Sequence, residues 1–224
     1  MIGLPFNRFP FLLATALIFV CPALVAASPE SHQLITQGAA DLEAQNYAEA
    51  LKKFAAAARS DPKDSEAIYF QGAALNRLGR PKEALEQLEK ADKMGFRGVG
   101  LTFDTGWALL RLGRWQDAIS QLKYFEIVIS GRAKTSEFLG RAYLGLGDYD
   151  QAEAKLEEAM QRDPDVAPTA LLYLVALEQE RKNPEAARRY LETLVREAPE
   201  SPIARALMQK LKEQPRSAEK GRLK

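Results

Sequence analysis

Residues 136–164 read SEFLGRAYLGLGDYDQAEAKLEEAMQRDP, two runs of helical spacing divided by a turn. Leu139 and Gly140 are followed by Tyr143, then Gly147 and Tyr149 mark the turn. Ala152, Leu156 and Ala159 lie on one helical face before the stop at Asp163-Pro164. Stepping by 34 residues from Ala152 reaches Ala50, Ala84, Ala118 and Ala186. The same step from Gly140 reaches Gly38, Gly72, Gly106 and, as the exception, Leu174. On this reading no insertion or deletion interrupts the count.

A 34-residue helix-turn-helix period carrying these small, apolar and aromatic positions resembles the tetratricopeptide repeat family over about three quarters of the chain. Small residues are needed where the two helices of a hairpin cross closely, and large apolar ones fill the surrounding space. The resemblance implies an all-α, right-handed superhelical solenoid. The five repeats are expected at 31–64, 65–98, 99–132, 133–166 and 167–200, with a capping helix over 201–213.

Several segments depart from the pattern. Repeat one carries Asp41 and Leu42 where an aromatic is usual, and its helices are expected near 32–45 and 48–60, behind a short mobile lead. Met94-Gly95-Phe96-Arg97-Gly98-Val99-Gly100 replaces the Asp-Pro stop of repeat two, as a helix cap or as a soft joint. Phe125 stands where other repeats place Ala57, Ala91, Ala159 and Thr193, so its ring either widens a crossing or rests beside small neighbours. The β-branched run after it, Ile127-Val128-Ile129, falls by stride at the end of a second helix. Ala204, Leu207, Met208 and Leu211 form the apolar stripe expected of a capping helix.

Outside the repeats, residues 1–27 combine Arg8, an apolar run from Phe11 to Val20, Pro22 and the small-residue end Val25-Ala26-Ala27, the layout of a secretory signal peptide. That run falls well short of the roughly 20 residues of a membrane span. An uncleaved anchor and lipidation at Cys21 are the alternatives. Removing the leader leaves no cysteine and 30 basic against 30 acidic residues. The expected location is the periplasm or beyond. Residues 214–224, with Arg216, Lys220, Arg222 and Lys224, read as a disordered basic tail.

Charge and inventory exclude whole classes of function. With a net charge of +1 there is no broad field for nucleic acid. One histidine, His32, leaves no base for a serine triad and no pair for a zinc motif, and no phosphate, dinucleotide or calcium loop is present. No enzyme, cofactor, metal site or small-molecule substrate is expected.

In the family, first helices line a concave groove that takes a peptide or a partner helix. Transferred by stride, one row runs Ile35, Tyr69, Phe103, Glu137, Leu171 and the next Ala39, Ala73, Trp107, Arg141, Val175. A third runs Glu43, Arg77, Arg111, Gly145, Gln179. Tyr69, Phe103 and Trp107, with Arg77, Arg111, Glu137 and Arg141, are thus the candidate partner-binding residues, unless the aromatics belong to the core. The reading is an adaptor or scaffold that binds another envelope protein. Its rivals are a holdase chaperone for extended exported chains, such as apocytochromes, and a self-associating scaffold. N-terminal sequencing of the exported protein is expected to begin close to Ser28, and recovery of Met1 in the membrane fraction would replace that reading with the anchored one.

Overall fold

The computed structural model describes residues 28–213, and the leader and the basic tail lie outside them. Within this span eleven helices and no strands follow one another. They are α1 (Pro29–Glu43), α2 (Tyr47–Ser60), α3 (Ser65–Arg77), α4 (Pro81–Lys93), α5 (Gly100–Arg111) and α6 (Trp115–Val128). They continue as α7 (Ala133–Leu146), α8 (Tyr149–Arg162), α9 (Ala167–Glu180), α10 (Pro184–Glu197) and α11 (Pro202–Glu213). No described helix is long and apolar enough to cross a membrane. Each helix packs on the next, and α1, α3, α5, α7 and α9 also touch one another in series. The odd helices therefore form the inner layer of a solenoid and the even ones the outer layer.

The close crossing of each hairpin is made by its glycine. A Cβ on Gly72, Gly106 or Gly140 would lie 2.7 Å from Cγ of Leu88, Leu122 or Leu156, and one on Gly38 would lie 2.6 Å from the Phe54 ring. Those four partners are completely buried. Turns between the helices use left-handed backbone at Gly79, Gly113 and Gly147, and even at Gln45, which stands one stride before Gly79.

Repeat five corrects the uninterrupted count. Where the first four hairpins open their second helix at Tyr47, Pro81, Trp115 and Tyr149, one stride apart, α10 opens at Pro184, one residue late. Lys182 takes the left-handed turn position, at φ +57°. One added residue rotates α10 by about 100°. Ala187, Leu191 and Leu194 are therefore the fully buried residues, in place of the expected register of Ala186, Tyr190 and Thr193. With Leu174 in place of a glycine, this hairpin is packed by a different set of side chains. Arg181 at the shifted turn binds Asp150 and Glu153 at 2.6 Å and Glu178 at 2.9 Å, which ties repeat four to repeat five.

The N-terminus is also better ordered than expected. Ser28 caps α1 by accepting from Ser31 N–H at 3.0 Å, Pro29 occupies the first turn, and Ser31 Oγ donates to Asp64 at 2.6 Å. Residues 28–32 are the start of a helix and not a lead, and His32 is exposed on it. The 94–100 segment is a cap. Gly95, at φ +92°, lets Phe96 N–H reach back to Ala91 C=O at 3.0 Å. Phe125 is buried against Phe103, with ring centroids 5.0 Å apart, and α6 runs through Val128 as the stride implies. Of the capping stripe, Met208 packs on the cluster of Leu171, Leu191 and Leu194, while the other three side chains lie outside the described ones.

Alanine for glycine in an exposed helix interior gains about 1 kcal/mol. Gly140→Ala is expected to destabilise this protein by about 1–3 kcal/mol, because overpacking outweighs propensity. Its new Cβ would also meet the Ala152 carbonyl oxygen at 3.1 Å, which cannot swing aside as a side chain can. Urea unfolding midpoints of the two proteins measure the sign.

Candidate functional site

The inner layer sorts its three rows by accessibility. In the first row Ile35, Glu137 and Leu171 are buried, and only Tyr69 and Phe103 keep part of their surface. In the second, Ala73 and Val175 are buried while Ala39, Trp107 and Arg141 are half-buried. The third row, Glu43, Arg77, Arg111, Gly145 and Gln179, is exposed throughout. Neighbouring odd helices touch along their first-row face, so that row packs repeat on repeat and the third row meets solvent. Glu137 is accordingly withdrawn from the open groove. Its carboxylate lies beneath Lys134 and Arg141, at 2.6 and 3.2 Å, and steers those two cations.

The aromatics have two sides. Phe103 stacks on the buried Phe138 at 5.4 Å and meets Phe125 on its other flank, so it is largely a packing residue. Trp107 tilts against Phe138 at 5.5 Å from within the groove, and the Arg77 guanidinium covers its ring at 4.3 Å. Two repeats further on, Arg141 covers the Tyr173 ring at 4.8 Å. A guanidinium over an aromatic face is attracted by the ring quadrupole, which holds the two groups together. Arg111 has no carboxylate partner among the described residues. It lines a cleft of about 330 Å³ with Leu110, Trp115, Arg141 and Tyr173. Trp115 reaches this wall because Gly145 leaves room, its ring lying 2.6 Å from where a Cβ would stand.

A model of the tetratricopeptide repeat matches residues 35–95 and another matches residues 143–211, together more than half of the chain. The chain belongs to the tetratricopeptide repeat family. Members of this family are protein-binding scaffolds. Solved structures share the architecture at low identity. MamA of Desulfovibrio magneticus RS-1 aligns at TM-score 0.65 and 19% identity, over 79% of this chain and 99% of that one. TTC0263, a thermophilic repeat protein of Thermus thermophilus, aligns at 0.63 and 23%, over 82% of this chain and all of that one. YrrB, described as a repeat protein with an unusual peptide-binding site, aligns at 0.63 and 20%, over 82% and 92%. No curated protein matches the sequence significantly.

In this repeat protein the groove also holds a polar core that the stride alone did not single out. Asp104 is buried on α5 at the position that Phe70, Phe138 and Leu172 occupy in repeats two, four and five. Tyr69 donates to its Oδ2 at 2.9 Å, and Asn76 Nδ2 donates to its backbone carbonyl at 2.8 Å. The Arg77 guanidinium stands 3.7 Å from Oδ1, an ion pair without a hydrogen bond, and Oδ1 has no other partner. An acidic residue in phase with apolar ones was the signal that could have found it. Burial pushes the Asp104 carboxyl above the usual carboxylate range, against the opposing pull of Arg77 and Tyr69. The same burial, reinforced by the Asp104 charge, pushes the Tyr69 phenol up.

A carboxyl with a raised folded pKa keeps its proton to a higher pH in the folded state. Its contribution to stability is thus full below the unfolded value of about 3.9 and is lost as pH rises through the folded value. Asp104→Asn keeps an acceptor for Tyr69 and cannot ionise. Its stability relative to the natural protein is expected to improve as pH rises across that window, as read from urea midpoints at stepped pH. Parallel curves would mean that Asp104 titrates alike folded and unfolded.

Proposed function

We propose that this tetratricopeptide repeat protein is an adaptor of the bacterial cell envelope, holding a peptide or helix of another envelope protein in its concave groove. The observation that carries the reading is the wall on which exposed Arg77 and Arg111 stand beside half-buried Trp107, Arg141 and Tyr173. It joins two aromatic rings covered by guanidinium groups to a third arginine that has no acidic partner among the described residues. Anchors of this kind, aromatic and arginine at the centre of a concave surface, supply most of the energy in protein interfaces. The excess positive charge favours a segment with carboxylates beside apolar residues. The leader-like residues 1–27 favour the envelope, and YrrB, described as a repeat protein with an unusual peptide-binding site, is in keeping with a peptide ligand.

A holdase with a loose middle is the weaker reading. Phe96 stacks on Tyr69 at 4.4 Å, and Tyr69 bonds Asp104 across the joint between repeats two and three. A joint braced on both sides favours a groove of one shape and a specific partner.

Chain 28–224 used as bait against a displayed random-peptide library is expected to select peptides rich in Asp or Glu beside apolar residues. Arg111→Glu, an exposed change expected to alter stability by less than about 0.5 kcal/mol, should abolish that selection. Trp107→Ala should cost about 2 kcal/mol or more of affinity for a selected peptide. It should also cost some stability, because its ring leans on Phe138. Equal binding by folded Arg111→Glu and Trp107→Ala would remove the groove from consideration.

A further inference from the structure

We infer that one edge of the solenoid, centred on the end of α6, docks on an anionic lipid bilayer. Tyr124, Ile127 and Val128 are 60, 82 and 47% exposed there, and Val99 at the start of α5 is 41% exposed. At the same three α6 positions repeat two has Lys90, Lys93 and Met94, and repeat four has Glu158, Gln161 and Arg162. The apolar tip therefore belongs to repeat three and is not a family requirement. Phe96, Val99, Leu101, Tyr124 and Val128 line a cleft of about 290 Å³ beside it, together with the Asp92–Arg97 ion pair. Exposed apolar side chains gathered in one place, unlike scattered single ones, mark an interaction surface.

The charges around the tip leave a positive excess, three cations without an acidic partner among the described residues against one such acid, Glu89, a turn before Lys93. Asp92 is paired with Arg97 and Glu126 with Lys155, each at 2.8 Å. Lys93, Lys123 and Arg132 have no carboxylate partner among the described residues. Lys123 and Arg132 lean over aromatic rings of the protein itself, at 5.6 and 6.0 Å. Apolar side chains framed by unneutralised cations match the boundary between acyl chains and anionic headgroups. A second copy is a poorer occupant, because a two-fold pairing of the tip would set these cations against their own copies.

The path of the chain agrees. Ser28 N–H bonds Asp61 at 3.2 Å and Ser31 bonds Asp64, which places the start of α1 beside the α2–α3 junction. The Tyr69 hydroxyl of α3 in turn occupies the space that a Cβ on Gly100 would need. The starts of α1, α3 and α5 thus share one edge, and Ser28, where the leader sequence ends, lies on the edge that carries the tip. Arg111 lies at the other end of α5, about 18 Å away along the helix, so the groove stays open while the edge is docked.

The packed solenoid begins at the Ser28 cap, so chain 28–224 retains all of it and is free of the leader's own apolarity. Cosedimentation is measured with vesicles of phosphatidylcholine alone and of phosphatidylcholine with phosphatidylglycerol. Binding is expected to the mixed vesicles only and to fall with salt. Ile127→Glu with Val128→Glu, and independently Lys93→Glu with Lys123→Glu, should each weaken it about tenfold or more while melting as the parent does. Binding to neither vesicle, equal binding to both, or full binding by folded variants overturns the inference. So does self-association of the parent that the Glu variants abolish, which would make the tip an interface between copies.

Discussion

The approach of two helices at a missing Cβ governs this molecule. In each of the first four hairpins a glycine on the inner helix lets a Leu or Phe of the outer helix press onto its backbone. The spacing is too tight for a single methyl group. Because the contact recurs at one stride, every hairpin has nearly the same shape, and identical shapes stack into a regular solenoid with a continuous core. Repeat five shows the converse. With Leu174 in the glycine position the chain takes an extra turn residue, rotates α10, and buries Leu191 and Leu194 where the stride had placed Tyr190 and Thr193. The displaced Tyr190 hydroxyl then reaches Glu153 and Glu157 of α8, so the change of packing at one crossing becomes a polar link between repeats.

The groove inherits its chemistry from this regularity and its individuality from repeats two to four. First-row side chains are consumed by stacking, which leaves the edge of the second row and the third row facing solvent. There the arginines are held by neighbours: Arg77 by Trp107 and Asp104, and Arg141 by Glu137 and Tyr173. A buried acid under an exposed guanidinium orients the cation while reducing its net charge toward a ligand. Arg111, with no such counterweight, is where the groove is most positive. The two faces of specialisation, groove and edge tip, both centre on repeat three, where Asp104, Trp107, Phe125 and Ile127 all break the repeat consensus.

The amino-acid sequence alone determined the helical hairpins, their number and the inner helices, since a one-dimensional stack of near-identical units is legible as a one-dimensional count. It also marked the odd segments: Met94–Gly100, Phe125 and the run Ile127–Ile129. It could not show that Gly98 and Gly100 are small because the rings of Phe96 and Tyr69 occupy their space. Nor could it separate the exposed third row from the buried first, because burial there depends on how far each inner helix leans on its neighbour. The one-residue slip before α10 left no gap in the letters, as Ala186 and Ala187 are both alanine and either register looks sound. Asp104 came to lie under Arg77 only through the contact of α3 with α5, whereas Glu137 meets Lys134 and Arg141 on its own helix and owes only its burial to the tertiary structure. The Arg77–Asp104 contact joins residues 27 positions apart, and a periodic pattern on one helix carries no information about the charge that the next helix brings to it.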